Sequence, residues 1–589
     1  MMTRTSLTES RKCSAKLFFT FFLFALSVIL FQSNDLAAQQ KDLQIAGREA
    51  VQSSVDFRYP LDVPMSLSGD YGELRGNHFH SGIDFRVGGV SGAPIYATER
   101  GYVSRITVSS TGYGNALYIT HPNGYVSVYG HLQKYADHIQ KYLIGKQYEK
   151  ESFRIELDFG PEDFPVEKGE LVAYAGNTGS SGGPHLHFEI RNEKNIPLSV
   201  LERDFVTAVD NMDPVLNRVD FYGYVNVFGA PRTFRVPRPR DREAPIPLPK
   251  YFYVAIDAID KMEGTHAKLA VNEYKVYLDS ELLYHLTIGE VPFEESRYIN
   301  SLIEYSRRHN ERKSAIKTYV EPGNMLSYKI ERKNDGIIYL ADTLLHKVKI
   351  ELLDYKKNRY VKSYTVRRDD SLFVDKIKAR PQGTHFAWHL PNVYEKGGFK
   401  ISLPPATLYR NIYFQLDTAQ SRITPYAPVW KVHTGEVPLH SGATISISYS
   451  GPDSLASKAL IVSCGAGGRL YGIGGRCENG VVKAKISTFG NYTVAVDLDA
   501  PEVIPNFKNG AQLRGNAVSF VIRDRLSGIK DYRVEIDGHW VLARFDAKTA
   551  RLTVPLQEAR IKRGANHKLL IKVVDNKDNQ TIVKRNFKW

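Results

Sequence analysis

Three short motifs in the first third of the chain set metal-holding and proton-moving side chains close together. His80 and Asp84 stand four apart in GNHFHSGIDF, His185 and His187 stand two apart in GGPHLHFEI, and His131 follows YVSVYG. On a strand, residues i and i+2 face one way, so both imidazoles of the second motif point to one side of a sheet. His80 and Asp84 would share a helix face, but Gly82 and the β-rich surroundings argue against a helix. On a strand and bend the two still converge, offering one nitrogen and one oxygen to a cation. His131 ends a hairpin strand and by alternation shares a face with Ser127 and Tyr129.

One Asp and three His suit a catalytic zinc site, which needs three protein ligands and an open position for water. Zinc brings the pKa of such a water toward ~7 and polarises a scissile carbonyl. An imidazole outside the ligand set can take or give protons near neutral pH. Each motif alone is weak, and their joint occurrence within Gly-rich turns of one domain carries the reading. His78 is a rival to His80 that spacing alone does not exclude. His121, in the HPNG turn, reads as a solvated turn residue.

Short strands must position these groups. ALYIT, HPNG and YVSVYGHL read as a hairpin around an Asn123–Gly124 turn, and LVAYAG, NTGSSGGP and HLHFEI repeat the strand–loop–strand pattern. In this block, residues 59–192, only 131–145 has a helical pattern, so the block is expected to be an antiparallel β domain.

At these residues the chain resembles the lysostaphin-type zinc endopeptidases, which cleave peptide bonds in bacterial peptidoglycan. HFHSGIDF is similar to that family's H-x-x-x-D motif, YGHL to its middle His motif and NTGSSGGPHLHFEI to its H-x-H motif, in the same order. The resemblance covers about residues 59–195. It implies one zinc per chain held by His80, Asp84 and His187, with His131 and His185 flanking the water as general base or as stabilisers of the tetrahedral intermediate. The family pattern places His78 outside the ligand set. All five positions are filled, unlike the degenerate members that activate other wall hydrolases. One departure is the extra sequence at 134–169, read either as a groove-side lid or as a surface insertion.

The rest of the chain reads as β modules. A Pro- and Arg-rich stretch, 230–250, suits an extended linker. HKVKIELLDYKKN (346–358) aligns without gaps on HKLLIKVVDNKDN (567–579), and YKVYLD (274–279) corresponds to YRVEID (532–537). Each copy opens on an Asp-and-Pro segment, DNMDPV or DLDAPEV, whose spacing matches no calcium loop and suits turns and strand ends. Cys464 and Cys477, 13 apart in a Gly-rich segment, admit a disulfide across a hairpin or two buried free thiols.

Four basic residues against one Glu in 1–16, the apolar run 17–31 and the small residues Ala37–Ala38 read as a secretory signal peptide cut after Ala38. No later stretch is apolar enough to span a membrane. The net charge of +14 is scattered, which does not identify a nucleic-acid binder. The 589 residues, 42% apolar and 24% charged, exclude a disordered or polytopic membrane chain.

The expectation is an exported all-β protein of the periplasm or cell envelope. Its parts are a signal peptide (1–38), a peptidase domain (39–200) and three β-sandwich, immunoglobulin-like modules (213–370, 381–497 and 500–589). Its expected activity is hydrolysis of peptidoglycan cross-links or stem peptides, with the modules spacing the enzyme or docking an envelope regulator. The competing readings are a non-catalytic scaffold or hydrolase activator, and a zinc protease acting on envelope proteins.

Overall fold

The alternating residues of the first block build one antiparallel sheet. The computed structural model describes residues 57–589 apart from 207, 228, 242, 327–329, 380 and 422–423, so the expected signal peptide lies outside the described residues. The main strands are β1 (Leu67–Gly69), β2 (Ile83–Arg86), β3 (Gly101–Val108), β4 (Asn115–Thr120), β5 (Val126–Gly130), β6 (Ile155–Asp158) and β7 (His185–Arg191). They lie in the order β1-β2-β7-β5-β4-β3-β6, each antiparallel to its neighbours.

β7 runs between β2 and β5, and His187 sits opposite Asp84 on one side and Gly130 on the other. Leu186, Phe188 and Ile190 point to the opposite face and are fully buried. The Phe188 ring lies 6.0 Å from Phe85 and 5.3 Å from Tyr129. Each such side chain stabilises the sheet by about 1.5–3 kcal/mol on burial, and a one-residue slip would drive His185 and His187 into the core instead. The apolar face therefore sets the register of the polar one.

The extra sequence at 134–169 forms helix α1 (Asp137–Glu149), with Ile139 and Leu143 buried, and then edge strand β6. The end of α1 meets the last module: the Tyr148 hydroxyl donates to the Glu558 carbonyl at 2.5 Å and its ring lies 5.1 Å from Trp540. This segment extends the sheet and contacts a neighbouring module.

Beyond it the chain is β-rich, in agreement with the all-β expectation. A core running from Val219 to Phe373 also takes in Phe79 of the first motif, and further cores are built from 386–494 and 518–589. The segment 230–250 is part of the first of these cores and not a linker. Ala230–Arg235 pairs with Val215–Val227, Ile246–Leu248 runs parallel to Arg359–Arg368, and Val236, Ile246 and Leu248 are buried. Its prolines suit this because Ile246–Leu248 is an edge strand, where a missing N–H is tolerated.

The sequence repeat is a structural one. Leu345–Leu353 lies between Glu273–Leu278 and Arg359–Arg368, and Asn566–Asp575 lies between Ile529–Ile536 and Gln580–Lys588. Val276 faces Ile350 as Val534 faces Ile571. Cys464 and Cys477 are free thiols here, half-buried and not buried as the second reading had them. Cys464 pairs with Leu470 in one sheet and Cys477 with Val482 in another, so no hairpin joins them. Among the described residues, no helix is long and apolar enough to cross a membrane.

Candidate metal centre and its flanking histidines

Four imidazoles and a carboxylate converge on the polar face of β2 and β7. Asp84 Oδ1 lies 3.1 Å from His80 Nε2, 2.9 Å from His187 Nδ1 and 3.4 Å from His185 Nε2. His80 Nε2 lies 3.1 Å from His187 Nδ1. One donor atom from each of His80, Asp84 and His187 falls within 4.8 Å of the others, and all three residues are buried.

What decides the chemistry is where the other donor atoms go. His80 Nδ1 meets the Asp70 carbonyl at 2.6 Å, and a carbonyl can only accept, so Nδ1 carries the proton and Nε2 presents a lone pair inward. His187 Nε2 meets the buried Glu189 carboxylate at 2.8 Å, which leaves Nδ1 inward. Asp84 Oδ2 accepts from Arg75 at 2.9 Å, which leaves Oδ1 inward. Each member is tied on its outer side and open on its inner side, as a cation centre requires.

The same holds for the flanking histidines. His131 Nδ1 donates to the Thr178 carbonyl at 2.9 Å, and His185 Nδ1 donates to the Gly183 carbonyl at 2.8 Å. The His131 ring lies 4.8 Å from that of His185 and 5.7 Å from that of His187. Burial and then the neighbouring imidazoles push His131 down to about 3, so it stays neutral with a free Nε2. Burial opposes the charged form of Asp84, but the imidazoles around it hold its carboxyl well below the usual range. Burial also lowers His187, yet Asp84 and Glu189 raise it to about 9. Negative charge thus concentrates where a cation would sit. Two nitrogens and one oxygen, closely spaced and facing one another, fit zinc, which on binding would displace the proton that His187 otherwise holds against Asp84.

The sequence reading of His131 needs a correction. Alternation would put it on the face of Ser127 and Tyr129, yet those two are hydrogen-bonded to each other at 3.1 Å within the core. The strand ends at Gly130, and His131 takes a left-handed φ of 61°, which turns its ring toward β7. Gly130 leaves the room: a Cβ there would lie 3.3 Å from both His187 Cβ and the Tyr113 ring.

His121 also departs from expectation. It is buried, with Nδ1 at 2.9 Å from the Arg100 carbonyl and Nε2 at 2.8 Å from Ser127 Oγ, tying the turn to the core hydroxyls. His78 is exposed beside Asn77 and lies outside the cluster.

Glu189 was missed by sequence reasoning. It is fully buried and accepts from Ser81 Oγ (2.6 Å), Tyr113 Oη (2.7 Å) and Arg191 Nε (2.6 Å), besides engaging His187. The alternation that picked out 185 and 187 reaches 189 on the same face. Lys548, far along the chain, donates to the carbonyls of Asn177 and Ser181, the latter at 3.2 Å. That loop carries the Thr178 carbonyl, which orients His131, and Ser181 Oγ, which lies 3.2 Å from His185 Nδ1.

Comparisons with known proteins cover His80, Asp84 and His131 of this site. Residues 78–145 match Peptidase family M23, and residues 383–497 match the Zu5-like domain. The DD-carboxypeptidase/endopeptidase Mpg of Neisseria meningitidis serogroup B is 31% identical over 112 residues, 19% of this chain and 20% of the relative. Peptidoglycan DD-endopeptidase ShyA of Vibrio cholerae is 29% identical over 139 residues, 23% of this chain and 26% of the relative. The chain thus spans about a fifth to a quarter of the length of these two. Lipoprotein NlpD of Yersinia enterocolitica is 32% identical over 105 residues, 18% of this chain but 84% of the relative. With the motifs, their order and the convergent donors on one face, these matches mean that the chain belongs to the lysostaphin-type peptidase family M23.

Proposed function

We propose that this chain is an exported zinc endopeptidase that hydrolyses peptide bonds in bacterial peptidoglycan, in the cross-links or the stem peptides. The observation that carries the reading is the commitment of donor atoms around the centre. His80, Asp84 and His187 keep one atom each facing the centre, while His131 keeps Nε2 free beside it and His185 holds Nε2 at 3.4 Å from Asp84 Oδ1. When bound, zinc supplies Lewis acidity, polarising a carbonyl and lowering the pKa of water toward about 7.

The chain's own residues do the rest. His131, held neutral, accepts a proton at Nε2 from the attacking water and passes it to the leaving amine. His185, its ring fixed by the Gly183 carbonyl, holds Nε2 beside the centre on the side where the oxyanion develops. Glu189 orients His187 and makes it a stronger donor. The Lys548 contact holds the loop behind both flanking histidines, which gives the last module a positioning role. The peptidoglycan substrate is supported by the likeness to the peptidoglycan DD-endopeptidase of Vibrio cholerae, and the endopeptidase activity also by that to the DD-carboxypeptidase/endopeptidase of Neisseria.

The test is digestion of purified sacculi by the chain from Gln39 onward, beside a chelated sample and a His185→Ala sample. New peptide-cleaved muropeptides absent from both controls are expected. Zinc-loaded protein that releases nothing from sacculi would overturn the substrate assignment, and cleavage of casein alone would replace it with a protein substrate.

A further inference from the structure

The repeated modules hold a second kind of acidic centre, and its two copies are not alike. In the first, Asp210 precedes strand Val215–Val227, Asp260 follows Tyr251–Ile259 and Asp354 follows Leu345–Leu353. In the second, Asp497, Asp524 and Asp575 occupy the corresponding strand ends. In each triad, one carboxylate oxygen per residue lies within 4.8 Å of the others. One framework holds both. Asn358 Nδ2 donates to the Asp210 carbonyl (3.2 Å) and to Asp354 Oδ2 (2.7 Å). Asn579 Nδ2 donates to the Asp497 carbonyl (3.0 Å) and to Asp575 Oδ2 (2.8 Å).

The copies differ in what neutralises the carboxylates. In the second, the 524–528 loop folds back over its own acid: Asp524 Oδ2 accepts from the backbone N–H of Leu526 (3.0 Å) and Gly528 (2.7 Å). Asp497 Oδ2 accepts from the N–H of Ser527 at 3.1 Å. In the first copy the cover is partial: Asp210 Oδ1 accepts from the N–H of Met212 (3.3 Å) and Asp354 Oδ1 from that of Asn358 (2.9 Å), and two oxygens are left over. Asp260 Oδ1 and Asp210 Oδ2 are buried with no hydrogen-bond partner, and the two residues are only 1% and 7% exposed. The lysines of the adjoining turn look elsewhere, Lys356 to Asp204 (3.1 Å) and Lys357 to Glu273 (2.5 Å).

A buried carboxylate oxygen without a partner is costly, and two such oxygens in one triad call for a shared positive charge. Burial and then the neighbouring carboxylates push Asp260 up to about 8, which records how unfavourable three adjacent carboxylates are here without a cation.

We propose that Asp210, Asp260 and Asp354 form a binding site for a divalent, oxygen-preferring cation of the calcium class, whereas the Asp497–Asp524–Asp575 copy is closed by its own loop and takes none. The donors are all oxygen, which selects against zinc, and the burial leaves little room for the waters that magnesium retains. The site would tie the ends of two sheets together in the first module.

The test uses the full chain from Gln39, stripped by chelation and reloaded with zinc at one equivalent. Calcium chloride is then titrated by calorimetry, with retained calcium measured by elemental analysis after dialysis and the thermal midpoint followed. One calcium per chain and a calcium-dependent rise of the midpoint are expected. Both are lost in Asp260→Asn and Asp354→Asn and kept in Asp524→Asn. Asp260→Asn disturbs the fold least, because no donor is lost from Oδ1, so it keeps the test decisive if Asp354→Asn fails to fold. No binding at millimolar calcium would overturn the proposal, as would binding that survives Asp260→Asn or is lost in Asp524→Asn.

Discussion

The His80–Asp84–His187 centre and the Asp210–Asp260–Asp354 triad are both buried clusters of three donors, and they differ in how their atoms are committed. In the first, every outward atom has a partner, so the inward atoms are fixed in direction before any ion arrives. In the second, two buried oxygens have none, and all three donor residues are carboxylates. Imidazole with one carboxylate suits a borderline-soft ion that does chemistry, whereas carboxylates alone suit a hard ion that holds structure together. The lesson is that burial of acidic and basic groups does not by itself name an ion. The donor set and the fate of its outer atoms do.

Four experiments break or sharpen that comparison. The largest effect is expected from His187→Ala, which removes a central donor. Zinc content should fall well below one per chain and muropeptide release should fall to background, with calcium retention unchanged. If release persists, the assignment of the centre is wrong. Next comes His131→Ala, which should keep one zinc per chain while kcat falls on the order of 10²–10⁴-fold, as for loss of a general base. Parallel zinc analysis and initial rates separate the two.

A smaller change is expected from Glu189→Gln, which keeps the shape but removes the charge behind His187. Zinc affinity should weaken about 10–100-fold in a competition with a chromophoric chelator, with no change in the calcium-dependent thermal midpoint. An effect on both would mean that Glu189 supports the fold and not the metal. The smallest is Lys548→Ala. It should lower kcat about 2–10-fold, a few tenths to about 1.4 kcal/mol of positioning, with zinc content and KM for a soluble muropeptide unchanged. A change in zinc content would place Lys548 in the support of the metal centre.

Much of the candidate site could be read along the chain because it follows period two. His185 and His187 share a face for the same reason that Leu186 and Phe188 share the other, and the apolar set alone forces that choice. His80 and Asp84 were readable as a pair because Gly82 excludes the helical alternative. His131 was readable as a member but not in its direction, since a left-handed φ at a strand end breaks the alternation that placed it. His121 was misread for a related reason. A turn residue looks solvated in sequence, but its ring lies over Ser127 in the core. The 230–250 segment has the composition of a linker, and only the pairing of Ile246–Leu248 with a strand over a hundred residues later shows otherwise.

By itself, the sequence determined the all-β character and the repeat and singled out the residues of the candidate centre, because each rests on local periodicity or on motif spacing. Tertiary structure alone decided which nitrogen of His80 and of His131 faces inward, since the partners of those rings are the Asp70 and Thr178 carbonyls of other loops. It also decided that one acidic triad is covered by its own loop and the other only in part. Both are questions of hydrogen-bond partners brought together by folding, and no spacing along the chain encodes them.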